Sequence, residues 1–164
     1  MRHAQGGRDP RNYTKLLHVR PATSADIPAL VALEKRAVTA SHWSVEQYAA
    51  AFSETGPERI VIVIEEECGV RGFLVARAVD REWEIENIAV AGPARRRGIG
   101  TRLLGEFLDL ARARGAEAVF LEVRDSNLAA RALYEKWAFV ETGRRVLYYR
   151  EPEEDAVVYR LVFT

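Results

Sequence analysis

An α/β (α+β) fold, with a mixed, mostly antiparallel central sheet of about seven strands flanked by four helices, is predicted by three features of the chain. Strand-like and helix-like segments alternate in the order β, α, α, three β, α, β, α, two β, the pattern of a sheet covered by helices. Three β-branched or alternating runs, "ERIVIVIEEE", "VRGFLVARAV" and "EWEIENIAV", are separated only by Gly69 and by Asp80-Arg81, as expected of consecutive antiparallel strands. The 164 residues suit one compact core and carry no repeat with a period of roughly 20 to 50 residues.

Taken in order, residues 1–17 are polar, with a glycine pair and Pro10, and read as a flexible tail before one domain at 18–164. "LLHVRPAT" is a short strand stopped by Pro21. Thr23 and Asp26 then form a T-x-x-D capping box that opens a helix carrying Ile27, Leu30, Val31 and Leu33, with Pro28 tolerated in its first turn. A second box, Ser44 to Gln47, starts a short helix in which Tyr48 and Phe52 stand four residues apart. After the three strands, Ile99, Leu103, Leu104, Phe107, Leu108 and Ala111 recur at helical spacing, and Gly115 supplies a stop. "AEAVFLEV" follows as a buried strand and "SNLAARALYEKW" as a helix. "RRVLYYR" and "DAVVYRLVF" close the order as two strands around an acidic loop, "EPEED".

Composition narrows the function classes. Hydrophobic residues make up 48% and charged residues 29%, with 24 Lys+Arg against 24 Asp+Glu, so no basic excess draws the protein to nucleic acid. The single cysteine, Cys68, can form neither an internal disulfide nor a thiolate metal cluster, and His3 and His18 show no ligand spacing; no metal is expected. Neither an export signal nor an apolar run of about 18 residues is present, which points to the cytoplasm and away from membranes.

The stretch "AVAGPARRRGIGTRLL" admits three readings: a nucleic-acid patch, a solvated surface turn, or a phosphate cradle. Acidic neighbours, "EWEIEN" before it and Glu106 and Asp109 after it, oppose the first. Gly98 and Gly100 lie between a strand and the first turn of a helix, where backbone N–H groups and the positive helix end can hold a diphosphate, with Arg95, Arg96 and Arg97 strengthening the field. The motif lacks the Lys-[Ser/Thr] of a nucleotide-hydrolysing loop and differs from the G-x-G-x-x-G of dinucleotide folds.

The succession "ENIAV", "ARRRGIGTRLL", "FLEV" and "RDSNLAARALYEKWAF" resembles the GNAT superfamily of acetyl-CoA-dependent N-acetyltransferases, and within it the RimI-type enzymes that acetylate a ribosomal-protein alanine. The likeness runs over about residues 19–163 and implies the GNAT fold, with acetyl-CoA as co-substrate and a protein N-terminus, such as that of a ribosomal protein, as acceptor. It implies that the CoA pyrophosphate lies on the turn from Arg95 through Gly98, Ile99 and Gly100 to Thr101. The main chain of Ile88, Ala89 and Val90 would pair with the pantetheine arm, the Val90 N–H polarising the thioester carbonyl. Asn127 would also bond the cofactor.

On the same resemblance Glu122 takes the proton of the attacking amine and Tyr134 returns one to the CoA thiolate. Glu122 alternates with Leu121 and Val123 and can equally be a polar strand residue; Tyr134 has helical spacing with Leu128, Ala130 and Ala138 and can equally be core. Glu84 is a second candidate for the base, as strand-four glutamates serve in many GNAT enzymes, unless it and Glu86 pair with arginines such as Arg77. Trp43, Glu84, Tyr148 and its neighbour Tyr149 fall where such enzymes build the acceptor groove, and these aromatics could also be core. One departure stands out: Ala138 occupies the place where the family usually has glycine, so a left-handed helix cap there would be strained by about a kcal/mol. The alternatives are a GNAT enzyme for lysine side chains or small-molecule amines, and a non-catalytic acyl-CoA-binding module.

Overall fold

The computed structural model describes residues 17–37, 42–92 and 98–164. Their strands form one seven-stranded sheet in the order β1-β2-β3-β4-β5-β7-β6, with β1 His18–Pro21, β2 Arg59–Glu66, β3 Gly69–Val79, β4 Glu82–Val90, β5 Ala118–Arg124, β6 Val140–Arg150 and β7 Glu153–Val162. Every neighbouring pair is antiparallel except β4 and β5. Four α-helices accompany them among the described residues: α1 Ile27–Arg36, α2 Val45–Ala51, α3 Ile99–Ala113 and α4 Leu128–Lys136. Of the expected tail, only Leu17 lies within the described residues; it belongs to the core rather than to a tail, being buried with its carbonyl accepting from Arg102 Nη1 at 2.9 Å.

Two apolar layers cover the two faces of the sheet. One joins Ile60, Ile62, Ile64, Leu74 and Leu121 to Leu103, Leu104 and Phe107 of α3 and Tyr134 of α4. The other joins Val61, Val63, Phe73 and Val75 to Leu30 of α1 and Tyr48 of α2. Because β2 and β3 are covered on both sides, their sequences read as nearly continuous apolar runs.

The short helices owe their starts to local side chains. Ser44 Oγ accepts the Gln47 N–H at 3.2 Å while Gln47 Oε1 accepts the Ser44 N–H at 2.8 Å, a reciprocal cap. Ahead of α1 a single 3₁₀ turn, Ser24–Asp26, intervenes, with the Thr23 N–H donating to the Asp26 carboxylate at 2.8 Å. The buried stripe of α1 differs from the apolar list read from the sequence: Leu30 and Glu34 are buried, whereas Ile27, Val31 and Leu33 are only half-buried.

The last hairpin is longer than the sequence indicated. β6 starts at Val140 rather than Arg144, and Glu153, Glu154 and Asp155 of the supposed acidic loop lie in β7. Opposite them β6 bulges: Arg145 faces Ala156 and Tyr149 faces Glu154, so three residues, Val146 to Tyr148, face one. The Asp155 carboxylate accepts the Leu147 N–H at 2.9 Å and holds this bulge.

Candidate active site

Two irregularities of β4 make the site. The first is a one-residue insertion: Val75 of β3 faces Asn87 while Ala76 faces Ile85, leaving Glu86 extra. The strand turns over at that point, so Trp83 and Ile85 pack under α3 whereas Ala89 packs under α1 and α2. The second is the brevity of the parallel pairing, which runs from Glu82–Ala118 to Ile85–Leu121 and then stops. Past Ile85 and Leu121 the two strands splay, each still bonded to its outer neighbour. The opening lies at the carboxyl ends of parallel strands, where open α/β sheets bind ligands.

A cavity of about 420 Å³ occupies this opening and is lined from both faces of the sheet. Ile88, Glu84, Glu122, Asn127, Tyr134, Trp43 and Tyr148 of the predicted site residues line it, together with His42, Asn87, Arg124 and Tyr149. Strand β5 sends Leu121 and Val123 into the core and Glu122 to the opposite side; α4 brings Tyr134 from beneath. Ala89, by contrast, is buried beneath α1 and α2, and the register set by the Ala91 N–H to Arg71 carbonyl bond turns its main-chain groups towards β3, leaving those of Ile88 and Val90 to face the gap.

The charged groups at the opening are paired. Glu122 Oε1 lies 2.9 Å from Arg145 Nε, and its carboxylate also meets the Tyr148 hydroxyl. Arg145 is more than half exposed and stacks over the Tyr148 ring at 5.4 Å, so it is a water-screened, replaceable partner. Glu84 pairs with Arg77 at 2.8 Å across β3 and β4, as the alternative reading of that residue anticipated, and Glu86 pairs with Arg59 at 3.0 Å. Glu84 therefore reaches the cavity already neutralised.

The tyrosines are held protonated. Burial, and then the neighbouring Tyr149, push the Tyr134 hydroxyl above its usual range. The ring packs on Phe139 and Tyr159 at 5.7 and 6.1 Å, and no described residue hydrogen-bonds the hydroxyl, which leaves its proton available to a guest in the cavity. Tyr149 is pushed up to about 12 by burial first and Glu122 second.

Gly98 is the N-cap of α3 with φ 73°, a left-handed conformation open to glycine; it and the first turn of α3 are not among the residues lining the cavity. The first intrahelical bond runs from the Arg102 N–H to the Gly98 carbonyl at 3.0 Å, so the N–H groups of Ile99, Gly100 and Thr101 start the helix without intrahelical partners. Gly100 serves packing as well: a Cβ there would stand 3.3 Å from Leu133 of α4 and 3.9 Å from Val90. Arg95, Arg96 and Arg97 lie outside the described residues. Asn127 is the N-cap of α4, its Oδ1 accepting the Ala130 N–H at 3.2 Å, so that oxygen is committed to the helix.

Sequence reasoning missed one group at this site. Asn87, Glu34 and Tyr48, 4%, 2% and 0% exposed, form a buried polar cluster behind the cavity wall. A carboxylate on the buried stripe of α1 was its signal.

A seven-stranded sheet with a bulged, splayed β4 and an anion-receptive helix start defines an acyl-CoA transferase fold, and the chain belongs to the acetyltransferase (GNAT) family, whose pattern it matches over residues 27–139. Among its relatives is the [ribosomal protein bS18]-alanine N-acetyltransferase of Salmonella typhimurium, 34% identical over 141 residues that cover 85% of this chain and 93% of the relative. The crystal structure of the ribosomal-protein-S18-alanine N-acetyltransferase from Escherichia coli superposes with a TM-score of 0.80 at 30% identity, covering 90% of this chain and 94% of that one. Ard1 from Thermoplasma volcanium also gives a TM-score of 0.80, at 25% identity over 91% of this chain and 99% of that one.

Proposed function

We propose that this acetyltransferase moves the acetyl group of acetyl-CoA to the N-terminal α-amine of a protein, alanine-first termini being its preferred acceptors, by direct attack in a ternary complex. The observation that carries the reading is the convergence of Glu122 and Tyr134 on one cavity at the gap between β4 and β5. The alanine preference is supported by the Salmonella typhimurium and Escherichia coli relatives, both named as N-acetyltransferases of a ribosomal-protein S18 alanine.

The cofactor fits the residues present. N–H groups without intrahelical partners at the start of α3 suit a diphosphate, and the edge of β4 from Ile88 to Val90, which no described strand pairs on the β5 side, suits the amides of the pantetheine arm. Acetyl-CoA supplies an activated acetyl thioester at the gap. Glu122 exchanges Arg145 for the incoming ammonium and accepts its proton, because only the neutral amine attacks. The Val90 N–H would stabilise developing negative charge on the carbonyl oxygen. Tyr134 gives its proton to the departing thiolate, a role that the raised hydroxyl pKa keeps available at neutral pH. Trp43 and Tyr148, which line the cavity, would flank the acceptor residue.

Incubation with acetyl-CoA and peptides differing in their first residue, followed by mass spectrometry, tests the proposal. The acetyl group is expected on the α-amine of alanine-first peptides. Labelling confined to internal lysines would overturn the N-terminal assignment.

A further inference from the structure

Glu34 is a carboxylate that the fold buries without a cation: among the described residues no arginine, lysine or histidine pairs with it. Its partners are neutral. Asn87 Nδ2 donates to Glu34 Oε1 at 2.8 Å and to the Tyr48 hydroxyl oxygen at 3.1 Å, and Tyr48 is also hydrogen-bonded to Glu34. The triangle links α1, α2 and the turned-over half of β4.

This arrangement fixes which way the Asn87 amide faces. A carboxylate only accepts, so turning the amide over would set Oδ1 against Oε1. Both N–H groups of Nδ2 are therefore spent inward, and Oδ1 is the end left over. It meets no donor among the described residues, and Asn87, 4% exposed, belongs to the cavity lining. Among the described residues Trp137 Nε1 is the side-chain polar atom sealed from solvent without a partner, so Oδ1 is not sealed off: it opens on the cavity, where a guest can offer it an N–H. Trp43, whose ring lies 5.4 Å from that of Tyr48, also lines the cavity and adds an apolar wall beside it.

We propose that Asn87 Oδ1 receives an N–H of the acceptor's ammonium group, which makes Asn87 an acceptor-binding residue and Glu34 and Tyr48 the residues that position it. The inference rests on the reading that the cavity takes a protein α-amine. Donation to Glu34 polarises the amide and makes its oxygen more negative, so the carboxylate favours a cation it does not touch. The bound ammonium in turn provides the counter-charge that no described side chain gives Glu34. With one N–H on Asn87 and one on Glu122, the nitrogen is oriented before it loses a proton. A des-amino acceptor forfeits both.

The test uses the full chain saturated with CoA. Dissociation constants are measured for an alanine-first peptide and for the same peptide with a propionyl group replacing that alanine, which removes only the amine. The unaltered protein is expected to favour the amine peptide, and Asn87→Ala to reduce that preference by roughly ten-fold or more. Glu34→Gln keeps an acceptor for Nδ2 and the shape of the cluster; it is expected to cut the preference several-fold with the melting temperature little changed. Equal weakening of both peptides in the two variants would mark the cluster as merely structural and overturn the inference, as would an unchanged preference. Should Asn87→Ala not fold, Glu34→Gln decides alone. Failure of the unaltered protein to acetylate any α-amine by mass spectrometry is a separate result, and it removes the functional reading and this inference together.

Discussion

At the scale of single residues, the division of labour proposed for Glu122 and Tyr134 has a kinetic signature. Glu122→Gln and Tyr134→Phe are each expected to lower kcat by roughly 10² to 10⁴ while leaving the dissociation constant for acetyl-CoA nearly unchanged, as measured by steady-state kinetics and calorimetry. The pH profile separates the two. Burial raises the tyrosine pKa, so the hydroxyl stays protonated through the alkaline range, and kcat should rise through the α-amine titration near pH ~8 and stay level to about pH 10. A fall near pH 9 that vanishes in Tyr134→Phe would contradict this assignment. Glu122, Tyr134, Tyr148 and Trp43, which line one cavity, were named from the sequence through the family resemblance, since residues in a matched succession of segments carry their places with them. Asn87 and Glu34 were not. They lie 53 residues apart, and their hydrogen bond depends on the register of β4 after its extra residue, which no local pattern encodes.

At the scale of elements, α3 and α4 end in the same motif with different residues. After α3 the Ala116 N–H reaches the Ala111 carbonyl and the Gly115 N–H reaches that of Arg112, both at 3.0 Å, with Gly115 at φ 81°. After α4 the Phe139 N–H reaches the Tyr134 carbonyl and the Ala138 N–H reaches that of Glu135, again at 3.0 Å, with Ala138 at φ 66°. The strain expected of alanine at this cap is thus present, held by the Phe139–Tyr134 ring contact at 5.7 Å. Ala138→Gly should stabilise the fold by about 1 kcal/mol and raise the melting temperature by roughly 2–4 °C. The four-residue β1 is secured differently. Arg20 grips Asp26 at 2.8 Å and Glu65 at 3.0 Å, and this holds the Asp26 carboxyl below the usual range. Its folded pKa is depressed, so the stabilisation is complete above the unfolded carboxylate pKa near ~3.9 and is lost as pH falls through the folded value. Asp26→Asn should cost about 1–2 kcal/mol at pH 7 and flatten the acid limb of a denaturation series below pH ~4. The caps at Thr23 and Ser44 were readable because their partners are three residues away. The true ends of β6 and β7 were not, since the exposed residues of β6 carry no alternating pattern and pairing, not composition, extends them.

At the scale of the whole molecule, cofactor binding and folding are linked. Acetyl-CoA at about a hundred times its dissociation constant should add roughly 2.7 kcal/mol of stability, visible as a thermal shift. Gly98→Val should abolish that shift, because a β-branched residue cannot hold φ 73° at the start of α3. The order of elements was plain from periodicity, whereas the place where β4 and β5 part was not, because a ladder ends through geometry beyond either strand's own residues.

That early end of the ladder reaches past the cavity it opens. Strands β1 to β4 and β5 to β7 are two half-sheets joined by only four residue pairs, from Glu82–Ala118 to Ile85–Leu121. Such a seam is the natural hinge line of the sheet, and a guest lying along Ile88 to Val90 adds rungs on its open side. Amide hydrogens along the seam should therefore exchange readily in the empty protein and slow when the thioester arm is seated, so that the substrate completes the sheet and stiffens the enzyme that is about to consume it.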